Sequence, residues 1–259
     1  MANLKITTVQ TYLFWENIDK NLDYIAKKLT SIREKTDLIV LPEMFSTGFT
    51  INVNTLAENM NGKTMKWMEM CANLYSSVIT GSIIIQEHND IFNRLIWMYP
   101  NGNYVTYDKH HLFRLGNEHK NFSAGKEKLI VDLNGWKILP TICYDLRFPV
   151  WLRNTKKSPY DLLLVVANWP EKRALHWKTL IQARAIENQI YSIGVNRVGY
   201  DGNQIYHSGD SMVIDPTGNL VYYKRDEEDI YTFTIYEEEL LKARRSHPFL
   251  QDADSFSLK

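Results

Sequence analysis

Three polar side chains stand where apolar runs end: Glu43 in Leu41-Pro42-Glu43-Met44-Phe45, Lys109 in Tyr107-Asp108-Lys109-His110-His111, and Cys143 in Ile142-Cys143-Tyr144-Asp145-Leu146-Arg147. Strand ends are where α/β sheets build their sites. A cysteine acts as a nucleophile through its thiolate, so Cys143, flanked by charged residues, differs from Cys71. The latter lies in the helical stripe Met65, Met68, Cys71, Ala72 and reads as a small core hydrophobe. Taken singly, these residues leave other readings open. Cys143 also serves as a structural thiol, Lys109 beside Asp108 as a solvated surface pair, and Glu43 after Pro42 as a helix-start carboxylate favoured by the dipole. Seven histidines also allow a Cys–His pair with His110, His111 or His207 as base. Metal and phosphate chemistry find no motif: Cys-x-x-Cys, His-Glu-x-x-His and a Gly-rich phosphate loop do not occur.

Such residues need elements to hold them. Leu4 to Thr11 is β-rich, and Leu22, Ile25, Ala26, Leu29 and Ile32 then form the stripe of an amphipathic helix. Asp37 to Leu41 reads as a strand buried on both faces and stopped by Pro42, which puts Glu43 at a strand end. A helix around Met65 to Tyr75 precedes strands at Val78–Gln86, Ile91–Met98 and Tyr104–Tyr107, the last two joined by the turn Pro100-Asn101-Gly102. Further strands fall at 129–133, 136–142, 162–167, 192–195, 209–214, 220–223 and 231–235, with a helix from about Arg173 to Asn188. Roughly a dozen short strands are too many for one comfortable open sheet. The expectation is a four-layer α-β-β-α sandwich, with two mixed sheets packed face to face and helices outside.

The chain has 259 residues, 44% of them hydrophobic, without a repeat, low-complexity tract or linker, so residues 1–259 read as a single globular domain. Thirty basic residues balance thirty acidic ones, which leaves no cationic field for nucleic acid. Two cysteines make no disulfide framework and fit a reducing compartment. The start, Met-Ala-Asn-Leu-Lys-Ile-Thr, lacks a secretory pattern, and no apolar run approaches the roughly 20 residues of a membrane span. A cytoplasmic protein without membrane partners is expected. The tail from about 246 to 259 carries Pro248, Phe249, Leu250 and Phe256 without a period, and either contacts a partner subunit or is disordered.

Taken in order, the Glu43, Lys109 and Cys143 segments resemble the Glu-Lys-Cys signature of the nitrilase superfamily of carbon–nitrogen hydrolases. Gly116-Asn117-Glu118-His119 resembles the loop bearing that family's second glutamate, and Ala183-Arg184-Ala185-Ile186-Glu187-Asn188-Gln189 its structural helix. Asn196-Arg197-Val198-Gly199 and Gly209-Asp210-Ser211-Met212 resemble its late strands, so the likeness covers essentially the whole chain. Asp108 to Arg114, Ala167-Asn168-Trp169-Pro170 and Arg173 are most similar to the ω-amidase branch, the 2-oxoglutaramate amidases.

The resemblance implies a nitrilase-like fold and a cysteine amidase that needs no cofactor or metal. It implies that Cys143 attacks an amide carbonyl to give a thioester and that Glu43 shuttles protons. Lys109 would favour the thiolate and, with the backbone N–H of Tyr144, stabilise the oxyanion. Glu118 would position Lys109 or the substrate nitrogen. A small-molecule ω-amide of a 2-oxo acid carries a distal carboxylate, for which Arg173 is the first candidate and Arg147 the second. Arg147 also reads as a structural ion-pair partner. Asn168 and Trp169 would shape the wall, and a homodimer or higher homo-oligomer is implied. Two other readings remain: a hydrolase of N-carbamoyl compounds, short amides or nitriles, and a non-catalytic binding protein on the same fold.

Overall fold

The computed structural model describes residues 2–256, and residues 257–259 of the tail lie outside the described residues. Thirteen strands form two sheets among them. The first has the order β13-β1-β2-β3-β4-β5: β1 is Leu4–Gln10, β2 Leu38–Val40, β3 Val78–Glu87, β4 Asp90–Met98, β5 Tyr104–Asp108 and β13 Asp229–Ile235. The second has the order β10-β11-β9-β8-β7-β6, with β12 also paired to β11. Here β6 is Val131–Leu133, β7 Trp136–Ile142, β8 Leu162–Ala167, β9 Tyr191–Asn196, β10 Val198–Tyr200, β11 Tyr206–Ile214 and β12 Leu220–Arg225. Each sheet is mixed. β1, β2 and β3 run parallel in one and β7, β8 and β9 in the other, and antiparallel strands complete both.

The parallel strands β2 and β8 are buried along their whole length, as their unbroken aliphatic runs require. Leu4, Ile6, Leu38, Val40, Leu95 and Trp97 of the first sheet share one core with Ile138, Leu162, Leu164 and Val166 of the second. The helices are α1 Ile18–Leu29, α2 Val53–Leu56, α3 Lys63–Tyr75, α4 Glu118–Asn121, α5 Ala174–Asn188 and α6 Glu237–Ser246. Leu22, Ile25 and Leu29 of α1 and Met65, Met68 and Cys71 of α3 cover the outer face of the first sheet against Ile39 and Ile79. On the second sheet, Trp177 and Ile181 of α5 press on Gly194 of β9. These layers are the expected sandwich, and each fully buried aliphatic side chain is worth about 1.5–3 kcal/mol of transfer free energy.

Four elements were absent from the expectation: the four-residue helices α2 and α4, strand β10 and helix α6. β10 is three residues long, and α6 buries only Leu240 and Ala243, too narrow a stripe to read as periodicity. Three glutamates in the first turn of α6 and two arginines in its last complement the helix dipole. Beyond α6, Gln189 donates to the carbonyl of His247 and Phe249–Gln251 forms a 3-10 turn, while Phe249 and Phe256 stay exposed.

A β-carbon on Gly194 would lie 2.5 Å from Cζ2 of Trp177 and 3.0 Å from Cδ1 of Ile181. Gly194→Ala is therefore expected to destabilise the fold by about 1–3 kcal/mol through overpacking. A lower urea midpoint with an unchanged slope checks this; an unchanged midpoint contradicts the packing described.

Candidate active site

The site lies where strands of both sheets end. β2 stops at Val40, and the chain runs through Leu41-Pro42 into a turn that carries Glu43. Glu43 is thus three residues past the strand, just beyond its end as the sequence suggested; the turn is held by Met44 N–H donating to Ser82 Oγ at 2.9 Å. Lys109 follows β5 directly, with its N–H on the carbonyl of Asn93 in β4 at 3.0 Å. Glu118 opens α4, and Asn168 and Trp169 follow β8.

Cys143 follows β7 directly and opens a 3-10 turn over Cys143–Arg147, in a left-handed conformation with φ 44°. A non-glycine residue is held there only when its surroundings over-determine it. Asp145 supplies much of that constraint. Its carboxylate is fully buried and accepts from Tyr107 O–H at 2.7 Å, Ile142 N–H at 3.2 Å and His111 N–H at 2.9 Å, with His111 Nδ1 at 2.8 Å. From α5, Arg184 Nη2 donates to the carbonyl of Leu146 at 2.9 Å.

Lys109, Glu43 and Glu118 are 1%, 0% and 0% exposed. The Lys109 ammonium lies 2.8 Å from Glu43 Oε1 and 3.0 and 2.9 Å from Glu118 Oε1 and Oε2. Asn93 Nδ2 donates to Glu43 Oε1 at 2.9 Å and to Glu118 Oε1 at 3.1 Å. The backbone N–H of Asn168 donates to Glu43 Oε2 at 2.8 Å, its side chain donates to the Glu43 carbonyl, and Phe113 N–H reaches Glu118 Oε2 at 2.6 Å. The Glu43 charge acts on the Cys143 thiol from within the same site.

Burial alone would lower the pKa of Lys109, but the charges of Glu118 and Glu43 outweigh it and hold the pKa above the ordinary lysine value. Glu118 is pushed above the usual carboxylate range by burial and by Glu43, against the pull of Lys109. Cys143 is raised well above a free thiol by burial first and the Glu43 charge second, and Lys109 only partly offsets them. Lys109 acts on Cys143 in the direction expected from the sequence, towards the thiolate, but burial and the Glu43 charge outweigh it. At rest, burial and the Glu43 charge together favour the protonated thiol at Cys143.

Cys143 is half-buried and opens, with Lys109, on a cavity of about 570 Å³. Tyr144, Arg147, Asn168, Trp169 and Arg173, all singled out from the sequence, line it. The leading N–H groups of the 3-10 turn, Tyr144 among them, have no acceptor within that turn. Trp169 is held by its indole N–H on the carbonyl of Arg173 at 2.8 Å. Arg147 does not make the ion pair considered for it. Its guanidinium lies over Trp169 at 4.5 Å and Tyr144 at 5.9 Å, with Nη1 3.2 Å from His176 Nδ1. Arg173 lies over Phe113 at 5.4 Å. Among the described residues neither pairs with a carboxylate, and burial together with the charge of Arg173 lowers the pKa of Arg147.

The histidines give a Cys–His pair little support. His110 stacks on Trp151 at 3.7 Å, His111 on Phe148 at 3.6 Å, and burial and Arg197 push His207 down to about 3, so it is neutral. Among the described residues no group of three His, Cys, Asp or Glu side chains is placed to hold a metal ion. Sequence reasoning missed Asn93 and Asp145. A polar Asn93-Arg94 step inside the apolar run 91–98 was the available signal for the first.

A sequence profile described as Carbon-nitrogen hydrolase matches residues 3–245. The chain belongs to this family. Among the hydrolases it resembles, one named Omega-amidase YafV from Escherichia coli K12 is 43% identical, with all of both chains covered. One named 2-oxoglutaramate amidase from Bacillus subtilis is 33% identical over 92% of this chain and 91% of its own. The solved structure of a CN-hydrolase superfamily protein from Xanthomonas campestris, with an arsenic adduct in its active site, superposes with a TM-score of 0.97 at 44% identity over the whole of both chains.

A thiol held protonated at neutral pH alkylates slowly. Iodoacetamide at pH 7 is expected to label Cys143 more slowly than a free thiol and to speed up only above the free-thiol pKa of about 8.5. Glu43→Gln, which removes a charge that raises the thiol pKa, moves that rise to lower pH. Wild-type labelling faster than a free thiol at pH 7 would overturn this resting state.

Proposed function

We propose that this carbon–nitrogen hydrolase is an ω-amidase that converts 2-oxo dicarboxylic acid monoamides, such as 2-oxoglutaramate and 2-oxosuccinamate, to the dicarboxylate and ammonia. The observation that carries the reading is the pair of guanidiniums, Arg147 and Arg173, that face the cavity without a carboxylate partner while the thiol opens on the same space. A substrate with an amide at one end and a carboxylate at the other fits both. The names borne by relatives at 43% and 33% identity agree.

The steps follow from the geometry. Once an amide enters, the Cys143 proton passes to Glu43 as sulfur bonds to the carbonyl carbon. The oxyanion that forms meets Lys109 and the Tyr144 N–H, donors already oriented and largely shielded from water. Glu43 returns the proton to the amide nitrogen, the C–N bond breaks, and ammonia leaves a thioester on Cys143. Water then gives a proton to Glu43 and attacks the thioester, and collapse of that adduct releases the carboxylic acid and restores the thiol. Glu118 keeps the ammonium in place throughout, so Lys109 serves as a fixed cation rather than an acid.

We further propose a cytoplasmic homodimer. Its support is the exposure of Leu175 and Ile186 on the outer side of α5, a face that a second copy would cover. Light scattering at micromolar concentration is expected to return twice the chain mass, and the mass of one chain would refute it.

The activity is tested by ammonia release from 2-oxoglutaramate, with glutamine as control. Glutamine carries the same amide and carboxylate but sets an ammonium group in place of the 2-oxo group, beside the two arginines that would hold the carboxylate end. Wild type is expected to turn over 2-oxoglutaramate and leave glutamine nearly inert, while Cys143→Ala is silent. Arg173→Ala is expected to raise KM at least tenfold with a smaller change in kcat. Equal rates on short amides, N-carbamoyl compounds or nitriles that lack the distal carboxylate would sink the substrate assignment and keep the cysteine chemistry.

A further inference from the structure

Asn93 is fully buried in the middle of β4 and touches every member of the charged cluster except the thiol. Its amide nitrogen donates to Glu43 Oε1 at 2.9 Å and to Glu118 Oε1 at 3.1 Å, the same two atoms that Lys109 Nζ reaches at 2.8 and 3.0 Å. Its own carbonyl accepts the backbone N–H of Lys109 at 3.0 Å. Its side-chain oxygen, Oδ1, is buried with no donor at all. That orphaned oxygen is informative, because buried acceptors are normally satisfied. A flipped amide would turn Oδ1 onto two carboxylate oxygens, so the side chain is confined to the orientation that presents both N–H groups to the glutamates.

The acceptor sites of Glu43 can then be counted. A carboxylate oxygen offers about two in-plane sites. On Oε1 both are filled, by Lys109 and Asn93. On Oε2 one is filled, by the backbone N–H of Asn168 at 2.8 Å. We infer that Asn93 is a positioning residue for the reaction: together with Lys109 it saturates Oε1 and fixes the carboxylate plane, so that Oε2 is the oxygen that exchanges the proton with Cys143. The proton leaves Sγ for Oε2 as the sulfur–carbon bond forms, and no further reactant is needed. The inference rests on Glu43 being the base of the proposed hydrolysis, and it adds which atom acts and what aims it.

The test compares Asn93→Ala and Asn93→Asp with wild type, each checked by thermal melting. Asp has the shape of Asn but puts an oxygen where the bridging nitrogen stands. With 2-oxoglutaramate, both variants are expected to lose at least 100-fold in kcat with KM within threefold. The acid limb of kcat/KM is expected to move to higher pH by half a unit or more, because a lost N–H donor disfavours negative charge in the cluster. A role in packing alone predicts that Asn93→Asp stays within threefold of wild type with its acid limb unmoved, and that result overturns the inference.

Iodoacetamide labelling of Cys143 supplies a second readout that needs no substrate. Its pH midpoint is expected to rise in Asn93→Asp. If wild type releases no ammonia, the amidase reading fails by itself, and an unmoved labelling midpoint would separately refute the role of Asn93. Should neither variant fold, Asn93→Ser, with one hydroxyl donor for two carboxylates, carries both readouts: a kcat and midpoint equal to wild type overturn the inference, and a loss in kcat with a raised midpoint upholds it.

Discussion

A buried ammonium between two buried carboxylates is the constraint on which the rest of this molecule depends. Removing such charges from water is costly, and the cost is offset only when each charge is paired and its remaining donors and acceptors are met. Lys109 arrives from the end of β5, Glu43 from beyond β2 and Glu118 from α4, so the cluster exists only when three separate segments of the first sheet are assembled. Asn168 brings the second sheet to the same place through two bonds to Glu43. Folding and site assembly are therefore one event. The two sheets meet through an apolar core along most of their contact and through this polar knot at one end.

The knot also bears on the charge of the thiol. With the Lys109 charge committed to two carboxylates, Cys143 feels burial and Glu43 more than it feels the ammonium. The cavity wall is built on a different principle. Aromatic faces of Trp169, Tyr144 and Phe113 carry the two guanidiniums, so these cations are oriented without being neutralised.

Much of this was legible in the sequence, and the misses have physical reasons. Buried parallel strands such as Leu162–Ala167 announce themselves by unbroken aliphatic runs, and turns such as Pro100-Asn101-Gly102 by their residues, so the two-sheet sandwich followed. Glu43, Lys109 and Cys143 were visible because each ends such a run and because together they match a family pattern. Helix α6 was not, since two buried residues in ten leave no period to detect. Asn93 and Asp145 were not, because their importance lies in what they touch across the fold. Asn93 meets Glu118 and Asp145 meets Tyr107, partners 25 and 38 residues away in the chain. How far burial and Glu43 oppose Lys109 at Cys143 was not legible for the same reason, since it depends on what the fold packs around the thiol.

The backbone at Cys143 has a consequence for how such a protein can change. Its left-handed φ of 44° is a conformation that costs a non-glycine residue on the order of 1–3 kcal/mol, and Asp145 and Arg184 hold it there. Glycine alone would sit in that turn without strain. Selection for robustness by itself would therefore favour discarding the sulfur, and a lineage released from the need for turnover has a downhill route to a sturdier, inert scaffold. Cys143 thus keeps, at a left-handed position that glycine would occupy without strain, the side chain that the proposed chemistry requires.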